Sequence, residues 1–266
     1  HRSLYHGFGS EFYQYREYVP GDDLKYVDWK AFARRDKYYT KVFQEETNMD
    51  CWIVLDASAS MDYTGTAAPC SKLHYARMVA ASLAYLASRQ GDNVGLYAYG
   101  DDLLSAIKPG RRSGHLQRLL LEIAGLEASG AGNHGKHLAH LSETTRRRGI
   151  VVFLSDWLES EERIPPILRR FRFAHHDLVI IQVLDPDEIE LPFDRTRRFF
   201  DSESGEQIVT APEAVRDDYR ERMQAFLDRV RLSCMEMDAD YLLTRTADHL
   251  GNTLAAYLHR REAMHG

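Results

Sequence analysis

The stretch Cys51-Trp52-Ile53-Val54-Leu55-Asp56-Ala57-Ser58-Ala59-Ser60-Met61 decides the fold. Its first five residues form an unbroken apolar run, as expected of a strand covered on both faces by helices. The run stops on an aspartate followed by two serines spaced two apart. Leu73, Ala76, Ala80, Leu83 and Ala87 then recur at helical spacing over residues 73–89, and Gly91-Asp92 closes that helix. Residues 93–99 resume as a strand, and Gly100-Asp101-Asp102 turns the chain back into an antiparallel strand over 103–107.

The same alternation continues outward. Residues 116–126 read as a helix, and the Gly-rich 130–135 loop opens another that runs to about residue 146. A second buried strand over 149–155 ends at Ser155-Asp156, and a third over 177–184 follows a helix at 164–173. A hairpin at 196–200 and 207–210, a long helix at 212–232, a strand at 239–243 and a helix at 250–261 complete the chain. The expected fold is α/β: a mostly parallel six-stranded sheet with helices on both faces.

Composition bounds the function. Of 266 residues, 44% are hydrophobic and 28% charged, an ordinary globular balance that excludes disorder. The 34 Lys+Arg against 40 Asp+Glu give a net charge of −6, the opposite of the balance that nonspecific nucleic-acid binding requires. Three separated cysteines, Cys51, Cys70 and Cys234, read as reduced thiols. No apolar stretch approaches the ~20 residues of a membrane span. A soluble, cytoplasmic protein without membrane insertion is expected.

Residues 1–50 differ from the rest, holding seven of the 15 Tyr, four of the 11 Phe and one of the three Trp. Such a segment is too short for a core of its own and too aromatic to float free. The expected division is an aromatic N-terminal arm over 1–50, packed on a domain over 51–266.

In an open α/β sheet, ligands sit outside the carboxyl ends of strands at the switch point. Asp56, Ser58 and Ser60 leave one such end and Asp156 leaves another. Two carboxylates and two hydroxyls form an all-oxygen shell suited to Mg²⁺ or Mn²⁺. The alternative is that Ser58 and Ser60 simply cap the following turn. Other signals carry less. Gly130-x-x-x-x-Gly135-Lys136 is followed by His137 rather than Ser or Thr and preceded by a helical pattern, so it is no phosphate-binding loop. His134, His137 and His140 recur every third residue, and a Zn²⁺ site there would need a further ligand. No nucleophile-plus-base pair stands out, so no enzyme is expected. Arg195–Arg198 offers a basic patch for an acidic partner.

These residues carry a family resemblance. Asp56-Ala-Ser-Ala-Ser60-Met61 and Leu154-Ser155-Asp156 resemble a von Willebrand factor type A domain with a metal-ion-dependent adhesion site. Glu11-Phe12, Arg16-Glu17-Tyr18, Pro20-Gly21-Asp22-Asp23, Val27-Asp28-Trp29 and Ala33-Arg34 resemble the signature of the bacterial "domain of unknown function 58" family. That resemblance implies a non-enzymatic adaptor working with a MoxR-type AAA+ ATPase or its client. It also implies a metal at Asp56, Ser58, Ser60 and Asp156 whose open position takes a partner carboxylate. An ion-pair network of Arg16, Asp22, Asp23, Asp28 and Arg34 would fasten the arm.

One position departs from the family pattern. The adhesion site takes a Thr from a Gly-Thr-x-Leu turn, and the loop here holds none. One register puts Lys136 in that place, where its ammonium would repel or replace the cation. A shift of two puts His134 there, favouring softer ions such as Zn²⁺. A metal-free interaction domain and a metal-dependent phosphoester hydrolase are the alternative readings.

Overall fold

The computed structural model describes residues 11–19, 27–29, 31–32, 37–44, 49–145, 147–158 and 164–265. The chain divides into two compact units, His1–Asn48 and Met49–Gly266.

In the first unit, β1 (Glu11–Glu17) pairs antiparallel with β2 (Tyr39–Gln44). Asp28 holds the connecting chain in place. Its Oδ1 accepts the Ala31 amide at 3.1 Å and its Oδ2 the Tyr15 hydroxyl at 2.8 Å. The Tyr38 ring stacks on Phe32 at 4.2 Å and meets Trp29 edge-on at 6.5 Å. Of the expected arm network, Arg16 lies on β1 and Asp28 makes these local bonds. Asp22, Asp23 and Arg34 lie outside the described residues.

The second unit is built on a six-stranded sheet of order β10-β7-β6-β3-β4-β5. Its strands are β3 (Asp50–Asp56), β4 (Asn93–Tyr99), β5 (Leu103–Gly110), β6 (Gly149–Ser155), β7 (Asp177–Leu184) and β10 (Asp240–Arg245). All neighbours are parallel except β5, which runs antiparallel to β4 and extends to Gly110, three residues beyond expectation.

The helices are α1 (Lys72–Arg89), α2 (His115–Gly125), α3 (His134–Thr144), α4 (Ile164–Phe173), α5 (Pro186–Glu190), α6 (Pro212–Glu236) and α7 (Leu250–His265). The apolar run of β3 serves two cores in strict alternation. Cys51, Ile53 and Leu55 pack with residues of α1, α2 and α7, while Trp52 and Val54 pack with residues of α3, α4 and α6. Strand β6 divides the same way, Ile150, Val152 and Leu154 against Val151 and Phe153.

At the start of β6 only glycine fits. A Cβ on Gly149 would lie 2.0 Å from the Asp50 carbonyl oxygen. The remaining strands, β8 (Arg197–Phe200) and β9 (Gln207–Thr210), form the expected hairpin.

The chain moves from β3 outward to β4 and β5, then returns to the other side of β3 for β6, β7 and β10. The switch point is therefore the crevice between β3 and β6, whose carboxyl ends carry Asp56 and Asp156.

Candidate functional site

The Asp-x-Ser-x-Ser loop is pinned from several sides. Ala57 donates its amide to Tyr99 O at 2.7 Å, Ala59 to Gly130 O at 2.9 Å, and Ser129 to Ala57 O at 2.9 Å. Asp56 is fully buried; its Oδ1 accepts the Ser58 amide at 2.9 Å and its Oδ2 the Ser155 hydroxyl at 2.6 Å. Ser58 Oγ lies 3.1 Å from Ser60 Oγ, and Ser60 donates its hydroxyl to Asp156 Oδ2 at 2.9 Å. The four residues expected to converge do so. After Asp156 the chain turns through Trp157 at φ +58°, a left-handed conformation uncommon for a bulky residue. The Gln182 side chain holds the Asp156 carbonyl at 2.7 Å.

The helix-start geometry sets the register of the 130–138 loop. Asn133 caps α3 by accepting the Lys136 amide at 3.3 Å. That places His134 inward and Lys136 outward. His134 is buried, with Nε2 3.7 Å from Asp56 Oδ2, Nδ1 bonded to the Tyr99 hydroxyl at 2.8 Å, and its ring stacked on Trp157. Lys136 points to Asp102 at 3.8 Å with 61% of its side chain exposed, so it is not brought to the carboxylates. His137 bonds Asp101 O at 2.9 Å and stacks on Tyr99, and His140 approaches Tyr97. The three histidines do not converge.

A lysine does stand among the carboxylates, and it is Lys72. It opens α1, is fully buried, and donates to Asp156 Oδ2 at 2.7 Å and to Glu188 Oε1 at 2.5 Å. Glu188 in turn accepts the Asp185 amide at 2.8 Å, closing a capping box on α5. Asp185 binds the Gly65 amide and the Thr246 hydroxyl, and Asp187 binds the Thr66 amide. Lys72, Glu188 and α5 were absent from the sequence reading, although two signals for them exist. Asp185-Pro186-Asp187-Glu188 has the capping-box spacing. A lysine in the first turn of a helix also opposes the helix dipole, which marks a local conflict with a purpose elsewhere.

The electrostatics follow from burial. Burial pushes the Asp56 carboxyl above the ordinary aspartate range, against the pull of His134. Burial acts the same way on Asp156, but the Lys72 ammonium and the bonds from Lys72 and Ser60 outweigh it and hold that carboxyl below its usual value. Lys72 mirrors this: burial favours its neutral form, yet Asp156 and Glu188 together raise its pKa. Asp156 and Glu188 thus share one buried lysine, while Asp185 and Asp187 are held by neutral donors.

The oxygen set fits a small hard cation. Adjacent ligands of an octahedral Mg²⁺ lie about 2.8–3.0 Å apart at ordinary bond lengths. The Ser58–Ser60 and Ser60–Asp156 oxygens, hydrogen-bonded at 3.1 and 2.9 Å, would need little movement to reach that edge. The Lys72 ammonium on Asp156 opposes such an ion by charge. Among the described residues no three His, Cys, Asp or Glu side chains form a metal-holding group, so the ligand set that Zn²⁺ favours is not gathered.

A doubly wound sheet with one antiparallel edge strand, and an Asp-x-Ser-x-Ser loop leaving the strand at its switch point, defines a von Willebrand factor type A-like domain. Residues 14–226 match the family described as "Protein of unknown function DUF58", and the chain belongs to that family. It is 31% identical over 250 residues to uncharacterized proteins of Mycobacterium bovis and Mycobacterium tuberculosis, covering 92% of this chain and 78% of theirs. Among solved structures it is similar to the conserved hypothetical protein BatB from Bacteroides thetaiotaomicron. The TM-score there is 0.56 at 14% identity, over 82% of this chain and all of that one. A von Willebrand factor type A structure from Catenulispora acidiphila matches 68% of this chain and 43% of its own, at 14% identity and TM-score 0.39. Among the described residues no helix is long and apolar enough to cross a membrane.

Proposed function

We propose that this domain is a non-catalytic, protein-binding adaptor whose recognition face is the carboxyl end of the sheet, with Asp56, Ser58, Ser60 and Asp156 holding Mg²⁺ there. The observation that supports it is the convergence of Ser58 Oγ, Ser60 Oγ and Asp156 Oδ2 in one hydrogen-bonded run at the carboxyl end of the sheet. An ion held in this way supplies a positive charge and an open coordination position for a carboxylate of the partner. The chain's own residues do the rest. Ser155 and the Ser58 amide orient Asp56, Gln182 fixes the backbone of Asp156, and His134 with Trp157 walls the crevice. The family resemblance makes a MoxR-type AAA+ ATPase, or a client it remodels, the partner to try first.

Lys72 favours a second reading, in which the domain works without metal. An ammonium bonded to Asp156 already supplies one cation to the crevice. Calorimetric titration of Mg²⁺, Mn²⁺ and Zn²⁺ into the chain and its Asp56→Ala variant separates the two. Saturable Mg²⁺ or Mn²⁺ heat that vanishes in the variant is the expected result. Silence in the parent chain with heat gained in Lys72→Met would transfer the function to the metal-free reading. Phosphoester turnover lost in Asp56→Ala would replace both readings with a hydrolase.

A further inference from the structure

Beside Ser60 lies an open cleft of about 450 Å³, a size that accepts a large side chain with its neighbours. Its apolar wall is made by Tyr63, Leu191, Phe193, Phe199, Val215 and Tyr219, and its polar wall by Asp187, Glu188 and Asp201. One side is the β8–β9 hairpin, where Phe199 pairs with Ile208 across the strands. Apolar side chains on this hairpin stand in solvent: Phe200 is 63% exposed and Ile208 64%. Apolar surface of this kind next to a cleft marks an interaction site rather than a packed core.

Charge identifies the occupant. Asp187 is buried at 3% exposure, yet among the described residues its carboxylate accepts only from neutral groups, the Thr66 amide and hydroxyl and the Tyr63 hydroxyl. Of the three wall carboxylates Glu188 is paired, with Lys72; among the described residues no cation pairs with Asp187 or with Asp201, which accepts the Glu203 amide and the Ser204 hydroxyl of its own turn. The field is felt by the cleft's own phenols. Burial first, then Asp187, Asp185 and Glu188, push Tyr63 up to about 12; burial and Glu188 do the same to Tyr219, against the Lys72 ammonium. Aromatic faces beside uncompensated carboxylates suit a guanidinium, which is planar, weakly hydrated and attracted to both. Phe193 already carries one, that of Arg197, at 4.8 Å from its ring centroid.

We infer that this cleft is the specificity pocket of the domain, receiving a partner polypeptide segment in which an arginine adjoins a large apolar side chain. The inference rests on the interaction reading above but requires no metal. The apolar side chain fills the space between Leu191, Phe199 and Val215, and the guanidinium lies along Asp187 and Asp201.

Methyl-labelled NMR spectra of the full chain in EDTA, titrated with the dipeptide amide Ac-Phe-Arg-NH₂, test it. Saturable shifts confined to the methyls of Leu191, Ile208 and Val215 are expected. Ac-Phe-Glu-NH₂ and Ac-Ala-Arg-NH₂ should each bind more weakly by a factor of about five or more, and added salt should weaken the arginine peptide. Val215→Arg, at a position 38% exposed, should abolish the shifts while the remaining methyl spectrum is preserved. Ile208→Lys, on the hairpin side of the cleft, is the second variant and should abolish them too by repelling the guanidinium. Absence of shifts at these methyls, equal affinity for the glutamate peptide, or the same shifts produced by protein concentration alone would overturn the inference, the last in favour of a second copy. Repeating the titration in Mg²⁺ keeps the two readings apart, since peptide binding in EDTA stands whether or not the ion binds.

Discussion

Replacing Lys72 by methionine keeps most of the side-chain volume and removes one buried charge. The ammonium is bonded to Asp156 at 2.7 Å and to Glu188 at 2.5 Å. Without it, Asp156 retains the Ser60 hydroxyl and the Leu158 amide, and Glu188 retains the Asp185 amide. Two neighbouring carboxylates would then be buried with no cation between them. Breaking a buried pair in this way costs about 3–5 kcal/mol, a large share of the roughly 5–15 kcal/mol of a folded domain. At about 2–4 °C per kcal/mol for a domain of this size, the melting temperature should fall by roughly 6–20 °C in EDTA. The pH dependence has a definite sign. In the parent chain the Asp156 carboxyl is held down, so its contribution is present above the unfolded value near 3.8 and lost as pH falls through its folded value. In Lys72→Met the same carboxyl should be pushed up, and its protonation at low pH relieves the defect. The destabilisation should therefore be largest near pH 7.5 and shrink towards pH 4.5. If the variant binds Mg²⁺ in place of the lost ammonium, an ion concentration 100-fold above Kd restores about 2.7 kcal/mol. Denaturant unfolding followed through the buried Trp52 and Trp157 reads all of this. A loss below about 1 kcal/mol, or one equal at the two pH values, would refute the assignment of Lys72 as the crevice's internal counter-ion.

Gly149→Ala places a Cβ 2.0 Å from the Asp50 carbonyl oxygen, and separating β3 from β6 to admit it should cost about 1–3 kcal/mol or more by denaturant unfolding. Burial pushes the Cys234 thiol up to about 12, and Cys51 is also buried, so a thiol reagent at pH 8 should titrate only the half-buried Cys70 until the chain unfolds. Burial lowers the pKa of His176, so its contribution to stability is complete above about pH 6.5 and lost as pH falls through the lower folded value. Stability measured from pH 7.5 to 5 should fall, and fall less in His176→Gln.

Much of the fold could be read from the chain because parallel strands advertise themselves. The runs ending at Asp56, Ser155 and Leu184 are too continuously apolar for anything but a doubly covered sheet. The positions of Asp56, Ser58, Ser60 and Asp156 followed from strand ends alone. Periodicity could not separate His134 from Lys136. Both sit in the first turn of α3, and the choice depends on Asn133 accepting the Lys136 amide, a detail of the helix entry. Lys72 stayed hidden for a different reason. Its partner Glu188 is on a five-residue helix too short to show a period, and the conflict of a first-turn lysine with the helix dipole does not say which carboxylates, 84 and 116 residues away, resolve it.

The order in which the crevice is supplied has a temporal consequence. Ser60 and Lys72 are made early, Asp156 later, and Glu188 follows Ser60 by 128 residues. Loop closure over such distances is slow to be rewarded, because the entropy is lost before the contacts form. At about 5–20 residues per second, a ribosome needs roughly 6–26 s to travel from Ser60 to Glu188. During that interval the nascent Lys72 has neither of its carboxylates in place for part of the time and only Asp156 for the rest. A crevice that needs Glu188 cannot be completed on a nascent chain that stops short of α5.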